Sequence, residues 1–126
     1  MPTAETLLAT VKRYAATVTA RDAGAYAALF TPEAVQVDPY PRAPNVGRDA
    51  IRDFIQRSFD ACEAMHFEVV EVHPVAERAA ITFHITLSLE GGSTMHIRGV
   101  EIFTVTDEGL ISAVDAYWGD EDLTFD

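Results

Sequence analysis

The sequence predicts an α+β fold, because helical and strand periodicities occupy separate parts of the chain. Up to about residue 60, apolar residues recur every three or four positions, as in helices that pack on a core. From Phe67 onward they alternate with polar residues, as in half-buried strands. Helices therefore precede a run of antiparallel strands. The 126 residues contain no repeat, low-complexity segment or linker, so we expect one domain over residues 1–126.

Three helices are predicted in the first half of the chain. The first is expected over about residues 3–20, and its buried stripe consists of Leu7, Val11, Tyr14 and Val18. Asp22 can N-cap the second, whose apolar side carries Tyr26, Leu29 and Phe30 before residues 31–34 end it. The third begins near Arg48, with an inner side formed by Ile51, Phe54, Ile55 and Phe59.

The remaining elements are strands and one proline-rich loop. A short strand is expected over 34–37, and the segment "VDPYPRAPNVG" that follows it reads as a loop because its prolines disfavour regular structure. The strands of the second half are expected at 67–75, 79–90, 94–105 and 110–118.

The turn "EGGST" sets the register between the two longest strands. A two-residue loop of Gly91 and Gly92 would oppose apolar to polar residues along the whole ladder. A three-residue loop over 91–93 matches the faces, and it pairs Leu89 with Met95, Leu87 with Ile97, Ile85 with Gly99, Phe83 with Glu101 and Ile81 with Phe103. We therefore expect Glu101 opposite Phe83, with Gly99 leaving room for a cavity beside them.

Glu101 is unusual because it shares the more apolar face of its strand. It can lie at a sheet edge or mouth, or pair with Arg98 or Arg13. Alternatively it is buried, in which case removal from water favours the neutral form and makes the carboxyl a hydrogen-bond donor near neutral pH.

Charge and composition exclude several classes of function. The formal charge of −11 argues against nucleic acid or an anionic membrane as a partner, since both attract basic patches. No apolar run approaches the roughly 18 residues of a membrane span, and no signal-peptide pattern is present. We expect a soluble, cytoplasmic protein. The single cysteine, Cys62, agrees with a reducing compartment, and its acidic neighbours make it a poor candidate nucleophile.

No metal or cofactor is expected. The four histidines show no metal-ligand spacing; they are His66, His73, His84 and His96. The glycines of "EGGS" join two strands and do not open a helix, so no phosphate-binding loop is indicated.

Four motifs carry a resemblance to a known family. They are the Tyr of "KRYAATV", the "VDP" after a short strand, a carboxylate in the penultimate strand, and "GLISAVDAYW" near the end. In this order and at these separations they resemble the ketosteroid isomerases (steroid Δ-isomerases) of the NTF2-like, or SnoaL-like, superfamily. The resemblance covers nearly the whole chain.

The resemblance implies a cone-shaped α+β fold, in which a curved antiparallel sheet and three N-terminal helices enclose an apolar pocket, and a homodimer formed through sheet faces. Asp38 matches the general base, Tyr14 the first oxyanion donor and Glu101 the second, where the family usually has aspartic acid. The implied reaction moves a proton between carbons of a hydrophobic β,γ-unsaturated ketone through a dienolate.

The expected ligand is a hydrophobic small molecule, steroid-like or polyketide-like. The residues expected to line its pocket are Phe30, Phe54, Ile55, Phe83, Ile85, Gly99, Phe103, Val114 and Trp118. Taken alone, Asp38 before a proline is also typical of a turn, and Tyr14 at helical spacing is typical of packing. Trp118 also fits a core or dimer-interface position.

Two departures from the family pattern bear on the chemistry. Glu101 is one methylene longer than the usual aspartic acid, which shifts the carboxyl. Some relatives support the oxyanion tyrosine with further tyrosines, and the matching positions here are Phe30 and Ile55, so we expect that network to be missing. The alternatives are a SnoaL-like polyketide cyclase and a non-catalytic binder of apolar ligands. The acidic C-terminal segment "GDEDLTFD" is either a frayed tail or a cover for the mouth or an interface.

Overall fold

The computed structural model describes all 126 residues and confirms the α+β fold class. The helices are α1 (Ala4–Ala20), α2 (Ala23–Ala28) and α3 (Arg48–Asp60). The strands are β1 (Phe30–Val37), β2 (Asn45–Val46), β3 (Ala64–Val75), β4 (Arg78–Ser88), β5 (Thr94–Val105), β6 (Ile111–Tyr117) and β7 (Leu123–Phe125). None of the helices combines the length and the apolar character needed to cross a bilayer.

The caps of the first two helices follow from local sequence. The Thr3 hydroxyl accepts from the backbone N–H of Thr6, and the Asp22 carboxylate accepts from the N–H of Ala25, so each satisfies a donor in a first turn. Helix α2 is shorter than the sequence pattern suggests and ends at Ala28. Phe30 therefore belongs to β1 and not to the apolar side of a helix, because its backbone pairs with Ile111 of β6.

The sheet is mixed, with strand order β2-β1-β6-β5-β4-β3 and β7 paired to β5. Strands β1 and β6 are parallel, which corrects the expectation of an entirely antiparallel sheet; all other pairs are antiparallel. Register shifts interrupt the β1–β6, β3–β4 and β5–β6 pairs. Such irregularities bend strands and increase twist, which curves the sheet around the helices.

The hairpin between β4 and β5 corrects the expected register by two residues. The backbone N–H of Leu89 donates to the carbonyl of Ser93 at 2.9 Å, so the three loop residues are 90–92 and not 91–93. Gly91 and Gly92, both with positive φ, lie in this loop. The resulting pairs are Leu87 with Met95, Ile85 with Ile97, Phe83 with Gly99 and Ile81 with Glu101.

The core lies between the helices and the concave face of the sheet. Its largest fully buried side chains include Tyr26, Phe30 and Phe103. The C-terminal segment is ordered rather than frayed, because Phe125 and Leu123 pair with Met95 and Ile97 of β5.

Candidate active site

A cavity opens between α1, α3 and the concave face of the sheet, with a volume of about 600 Å³ that includes its open mouth. Its lining is mostly apolar and consists of Tyr14, Val18, Asp38, Phe54, Ile55, Ser58, Met65, Phe67, Phe83, Ile85, Leu87, Ile97, Glu101 and Trp118. An apolar cavity with a few polar groups is typical of a site for a hydrophobic small molecule.

Three separate elements bring polar groups into this cavity. Tyr14 is on the buried stripe of α1, Asp38 follows the last residue of β1, and Glu101 is on the concave face of β5. The Tyr14 hydroxyl donates to Glu101 Oε2 at 3.1 Å, and the Trp118 indole N–H donates to Asp38 Oδ1 at 3.2 Å. The structure thus brings together the three residues to which the family resemblance assigns catalysis.

Glu101 is a carboxyl removed almost entirely from water, with a side chain only 3% exposed. Burial raises the pKa of Glu101 well above its ordinary value, and the negative charge of Asp38 raises it further. The hydrogen bond from Tyr14 acts in the opposite direction. The neutral acid fits the contacts, since Oε2 accepts from Tyr14 while the buried Oε1 makes no hydrogen bond within the protein. A proton on Oε1 has no acceptor within the protein, so it is free to be donated to a ligand.

Asp38 is the second carboxyl of the cavity, and its environment makes it a stronger base than an ordinary aspartate. Burial raises its pKa to about 6, although the Trp118 hydrogen bond and the positive charge of Arg42 each lower it. At neutral pH the group is mostly ionised, yet it binds a proton more readily than an exposed aspartate does. Asp38 and Glu101 consequently differ in protonation although both are carboxyls.

A chain of hydrogen bonds lies behind Tyr14. The Tyr26 hydroxyl donates to the Tyr14 oxygen at 3.2 Å, and the Gln36 side-chain amide donates to the Tyr26 oxygen at 2.8 Å. The expectation that supporting tyrosines are missing was wrong, because the Tyr26 hydroxyl of α2 is hydrogen-bonded to Tyr14, although Phe30 and Ile55 themselves have no hydroxyl. Burial raises the pKa of both tyrosines well above the usual value, so both remain neutral donors. No group of three or more His, Cys, Asp or Glu side chains is arranged to hold a metal ion.

Comparison with known proteins establishes the family. A family model described as a SnoaL-like domain matches residues 11–114. The chain belongs to the SnoaL-like family. This SnoaL-like domain is also 30% identical to the steroid Delta-isomerase of Nocardioides simplex over 115 residues, which cover 91% of each protein. The resemblance drawn from the sequence motifs is thereby confirmed at the level of the family.

Solved structures share the fold at lower identity. SalBIII, an epoxide hydrolase/cyclase-like enzyme in pyran ring formation in polyether salinomycin, superposes with a TM-score of 0.89 at 23% identity over 98% of both chains. RV0760c of Mycobacterium tuberculosis in complex with estradiol-17β-hemisuccinate superposes with a TM-score of 0.85 at 23% identity, over 94% of this chain and 98% of that one. A computationally designed 17-OHP binder superposes with a TM-score of 0.84 at 20% identity, over 96% of this chain and 97% of that one.

Five of the nine residues expected to line the pocket do so in this SnoaL-like domain; they are Phe54, Ile55, Phe83, Ile85 and Trp118. Three others are buried in the core and do not line the cavity; they are Phe30, Phe103 and Val114. The Phe103 ring packs edge-on against Tyr14 at 4.8 Å, and the Phe30 ring lies 5.2 Å from Tyr26. These two phenylalanines therefore support the tyrosines and do not contact the cavity.

Gly99 also does not line the cavity, and its lack of a side chain has another explanation. A Cβ atom there would lie 2.6 Å from the carbonyl oxygen of Tyr117 and 3.0 Å from both the Phe83 ring and Trp118 Cβ. Gly99 thus allows the Phe83 ring and the Trp118 segment to approach the sheet closely. These two side chains occupy the space left by the missing Gly99 side chain, and they line the cavity together with Glu101.

Several lining residues were missed by sequence analysis although their positions carried a signal. Leu87 and Ile97 have the same parity as Phe83 and Glu101 on their strands, and Met65 and Phe67 alternate in the same way on β3.

The two residues behind Tyr14 also had inward positions. Tyr26 lies on the apolar side of α2, and Gln36 has the same parity as Asp38, which follows β1. These positions are on inward-facing sides of their elements, but the hydrogen bonds of Tyr26 and Gln36 are not visible in the sequence.

Replacing Glu101 with glutamine is expected to stabilise the fold, increasingly so as pH rises. Above pH 4.5 the unfolded Glu101 loses its proton while the folded one keeps it, so unfolding becomes easier with rising pH until the folded pKa is reached. The gain grows by at most about 1.4 kcal/mol per pH unit in that window. Urea unfolding at several pH values measures it. Glu108→Gln, at an exposed position, is the control for the loss of one negative charge. If the free energy of unfolding rose equally with pH in both variants, relative to wild type, the result would contradict a buried neutral Glu101.

Proposed function

We propose that this SnoaL-like domain isomerises a hydrophobic β,γ-unsaturated ketone to the conjugated α,β-unsaturated ketone. The observation that carries the proposal is the pair of carboxyls in one apolar cavity, one favoured as the neutral acid and one with a pKa of about 6. Two acids with separated roles are what a proton transfer between carbons requires.

Asp38 is the proton carrier in this mechanism. Its carboxylate removes a proton from the carbon between the carbonyl and the double bond, and the electron pair moves into the carbonyl to form a dienolate. The Asp38 carboxyl then returns that proton to the γ carbon, the dienolate oxygen reverts to a carbonyl, and the carboxylate is regenerated. No oxidant, reductant or cofactor enters the balance. A pKa of about 6 suits a base that must both take and return a proton near neutral pH.

Glu101 and Tyr14 stabilise the dienolate oxygen. Glu101 donates from Oε1, which has no partner within the protein, and Tyr14 donates either directly, by rotating its hydroxyl, or through Oε2 of Glu101. Donors fixed in advance within a water-poor cavity commonly make the largest contribution to such a rate. The lining around these groups is mostly apolar. A bound hydrophobic ligand therefore displaces water from it, and the hydrogen bonds to the ligand oxygen are strengthened.

The similarity to the steroid Delta-isomerase of Nocardioides simplex supports a steroid-like ketone as the substrate. The shared fold with an estradiol-hemisuccinate complex and with a 17-OHP binder agrees with a ligand of that size and character. We therefore propose a Δ5-3-ketosteroid or a ketone of similar shape as the substrate class.

The direct test follows conjugated-enone absorbance after a Δ5-3-ketosteroid is added. We expect a rate well above buffer, and kcat/KM should fall about tenfold per pH unit below pH about 6 as Asp38 becomes protonated. A rate equal to buffer, or a rate that does not change between pH 5 and 7, would contradict the proposed base.

A polyketide cyclase would use the same two groups differently, with Asp38 as the base of an aldol closure. The shared fold with SalBIII, a cyclase-like enzyme, is the observation that favours this alternative. Turnover of a cyclisation substrate without isomerisation would favour it, whereas ligand binding without any turnover would favour a binding protein.

The homodimer that the resemblance implies stays a prediction. Val70 of β3 and Val100 of β5 are exposed large apolar side chains, at 58% and 37%, near one groove on the convex side of the sheet. Light scattering on the purified protein distinguishes a dimer of about twice 13.8 kDa from the monomer.

A further inference from the structure

We propose that Gln36 is a positioning residue that fixes the direction of the hydrogen-bond chain behind Tyr14, so that the Tyr14 proton points toward the cavity. The inference deepens the proposed function, because it assigns a residue outside the cavity to the oxyanion donors. Gln36 is fully buried on β1 and does not line the cavity. It therefore acts only through other side chains.

The chain is continuous and its members are buried. Gln36 Nε2 donates to the Tyr26 oxygen at 2.8 Å, Tyr26 donates to the Tyr14 oxygen at 3.2 Å, and Tyr14 donates to Glu101 Oε2 at 3.1 Å. Tyr26 and Gln36 are 0% exposed, and Tyr14 and Glu101 are each 3% exposed. Bulk water therefore does not reach Tyr26 and Gln36 to supply an alternative partner.

The direction of this chain follows from counting protons. Each tyrosine hydroxyl has one proton, while the Gln36 amide nitrogen donates and cannot accept. Because Gln36 only donates to Tyr26, the Tyr14 oxygen is the acceptor that remains for the Tyr26 proton, and the reverse arrangement would leave this buried proton without a partner. The Tyr14 oxygen is then occupied on that side, so its proton is directed to Glu101 or to a ligand oxygen. Without the Gln36 donor, the reverse arrangement, in which Tyr14 donates to Tyr26, becomes competitive.

The Gln36 amide is hydrogen-bonded to Asn45 in this orientation. Asn45 is the cross-strand neighbour of Gln36 in the β1–β2 pair, and its Nδ2 donates to Gln36 Oε1 at 3.0 Å. A flipped Gln36 would present its oxygen to Tyr26 and its nitrogen to Asn45. With the Asn45 amide nitrogen facing Gln36, a flip of the Gln36 amide alone is therefore disfavoured.

The test is a double-mutant cycle with Gln36→Leu and Tyr26→Phe, read by ligand binding. The probes are estradiol, whose phenol oxygen accepts from the site as a dienolate oxygen would, and its 3-deoxy analogue. We expect wild-type protein to prefer the phenol and Gln36→Leu to reduce the preference about tenfold. In the Tyr26→Phe background, Gln36→Leu should produce no further loss, because its effect passes through the Tyr26 hydroxyl.

If Gln36 had a merely structural role, Gln36→Leu would weaken the binding of estradiol and of its 3-deoxy analogue equally, or its effect would add to that of Tyr26→Phe. Either outcome overturns the inference. A wild-type protein that shows no preference for the phenol also overturns it. The double variant also protects the test against misfolding, since it removes both buried polar partners together.

Asn45→Asp tests the direction separately at a half-buried position away from the cavity. Its ionised carboxylate only accepts, so it turns the Gln36 amide nitrogen toward itself and the amide oxygen toward Tyr26. The preference for the phenol should fall, whereas an unchanged preference overturns the assigned direction. All these readouts are independent of turnover. A protein with the expected coupling but no isomerase activity would contradict the proposed function alone.

Discussion

Replacing Asp38 with asparagine is expected to lower the isomerisation rate by about 100 to 10,000-fold, the range contributed by a positioned base. Asparagine has nearly the same shape, and its carbonyl oxygen can keep the hydrogen bond from the Trp118 indole. It has no basic oxygen, so it can neither take the α proton nor return it to the γ carbon. The initial rate of enone formation at pH 7.5 measures the loss.

The binding of estradiol to the same variant provides the control. Asp38→Asn removes a negative charge that opposes ionisation of Glu101 but leaves both donors in place, so binding should be kept. A variant that retains more than about a tenth of the wild-type rate would assign the proton transfer to another group. A variant that loses both turnover and binding would indicate a disturbed cavity, which circular dichroism and urea unfolding would then reveal.

Removing the Glu101 donor is expected to have the second large effect on the isomerisation rate. Glu101→Leu should lower the rate by about 100 to 1000-fold, as loss of one oxyanion donor typically does. Glu101→Gln is the matched variant, because its amide keeps an N–H donor of the same length. It should retain more activity than the leucine variant, and the two rates should differ by about tenfold or more.

Equal rates in these two variants would contradict donation by Glu101, since only one of them can donate. Tyr14→Phe extends the comparison. It removes the hydroxyl that donates to Glu101 Oε2 while keeping the aromatic contacts with Phe67 and Phe103. Estradiol binding should weaken in Tyr14→Phe and persist in Asp38→Asn, which separates the oxyanion donors from the base without any turnover.

The inward position of Glu101 could be predicted from the sequence although its exact neighbour could not. The register of β4 and β5 differs from the predicted one by two residues, which leaves each side chain on its predicted face. Apolar matching alone cannot distinguish these two registers. The loop conformation decides between them, through the hydrogen bond from Leu89 to Ser93.

The chain behind Tyr14 could not be predicted because it depends on contacts between distant segments. Strand β1 begins at Phe30, four residues earlier than the local pattern indicates, since Phe30 pairs with Ile111 of β6. This pairing ends α2 and places Tyr26 between Tyr14 and Gln36. The family pattern indicated other positions for supporting tyrosines, and those positions hold Phe30 and Ile55.

In the cavity, the three groups to which we assign the proton transfer lie on other elements than much of the apolar wall. The acid, the base and the tyrosine come from β5, from the end of β1 and from α1, whereas β3 and β4 contribute only apolar residues; these are Met65, Phe67, Phe83, Ile85 and Leu87. Changes in size on β3 and β4 can therefore alter which molecules fit while the proton-transfer groups stay in place. Substitutions on these two strands would therefore adapt the cavity to ligands of another shape and leave Asp38, Tyr14 and Glu101 unchanged.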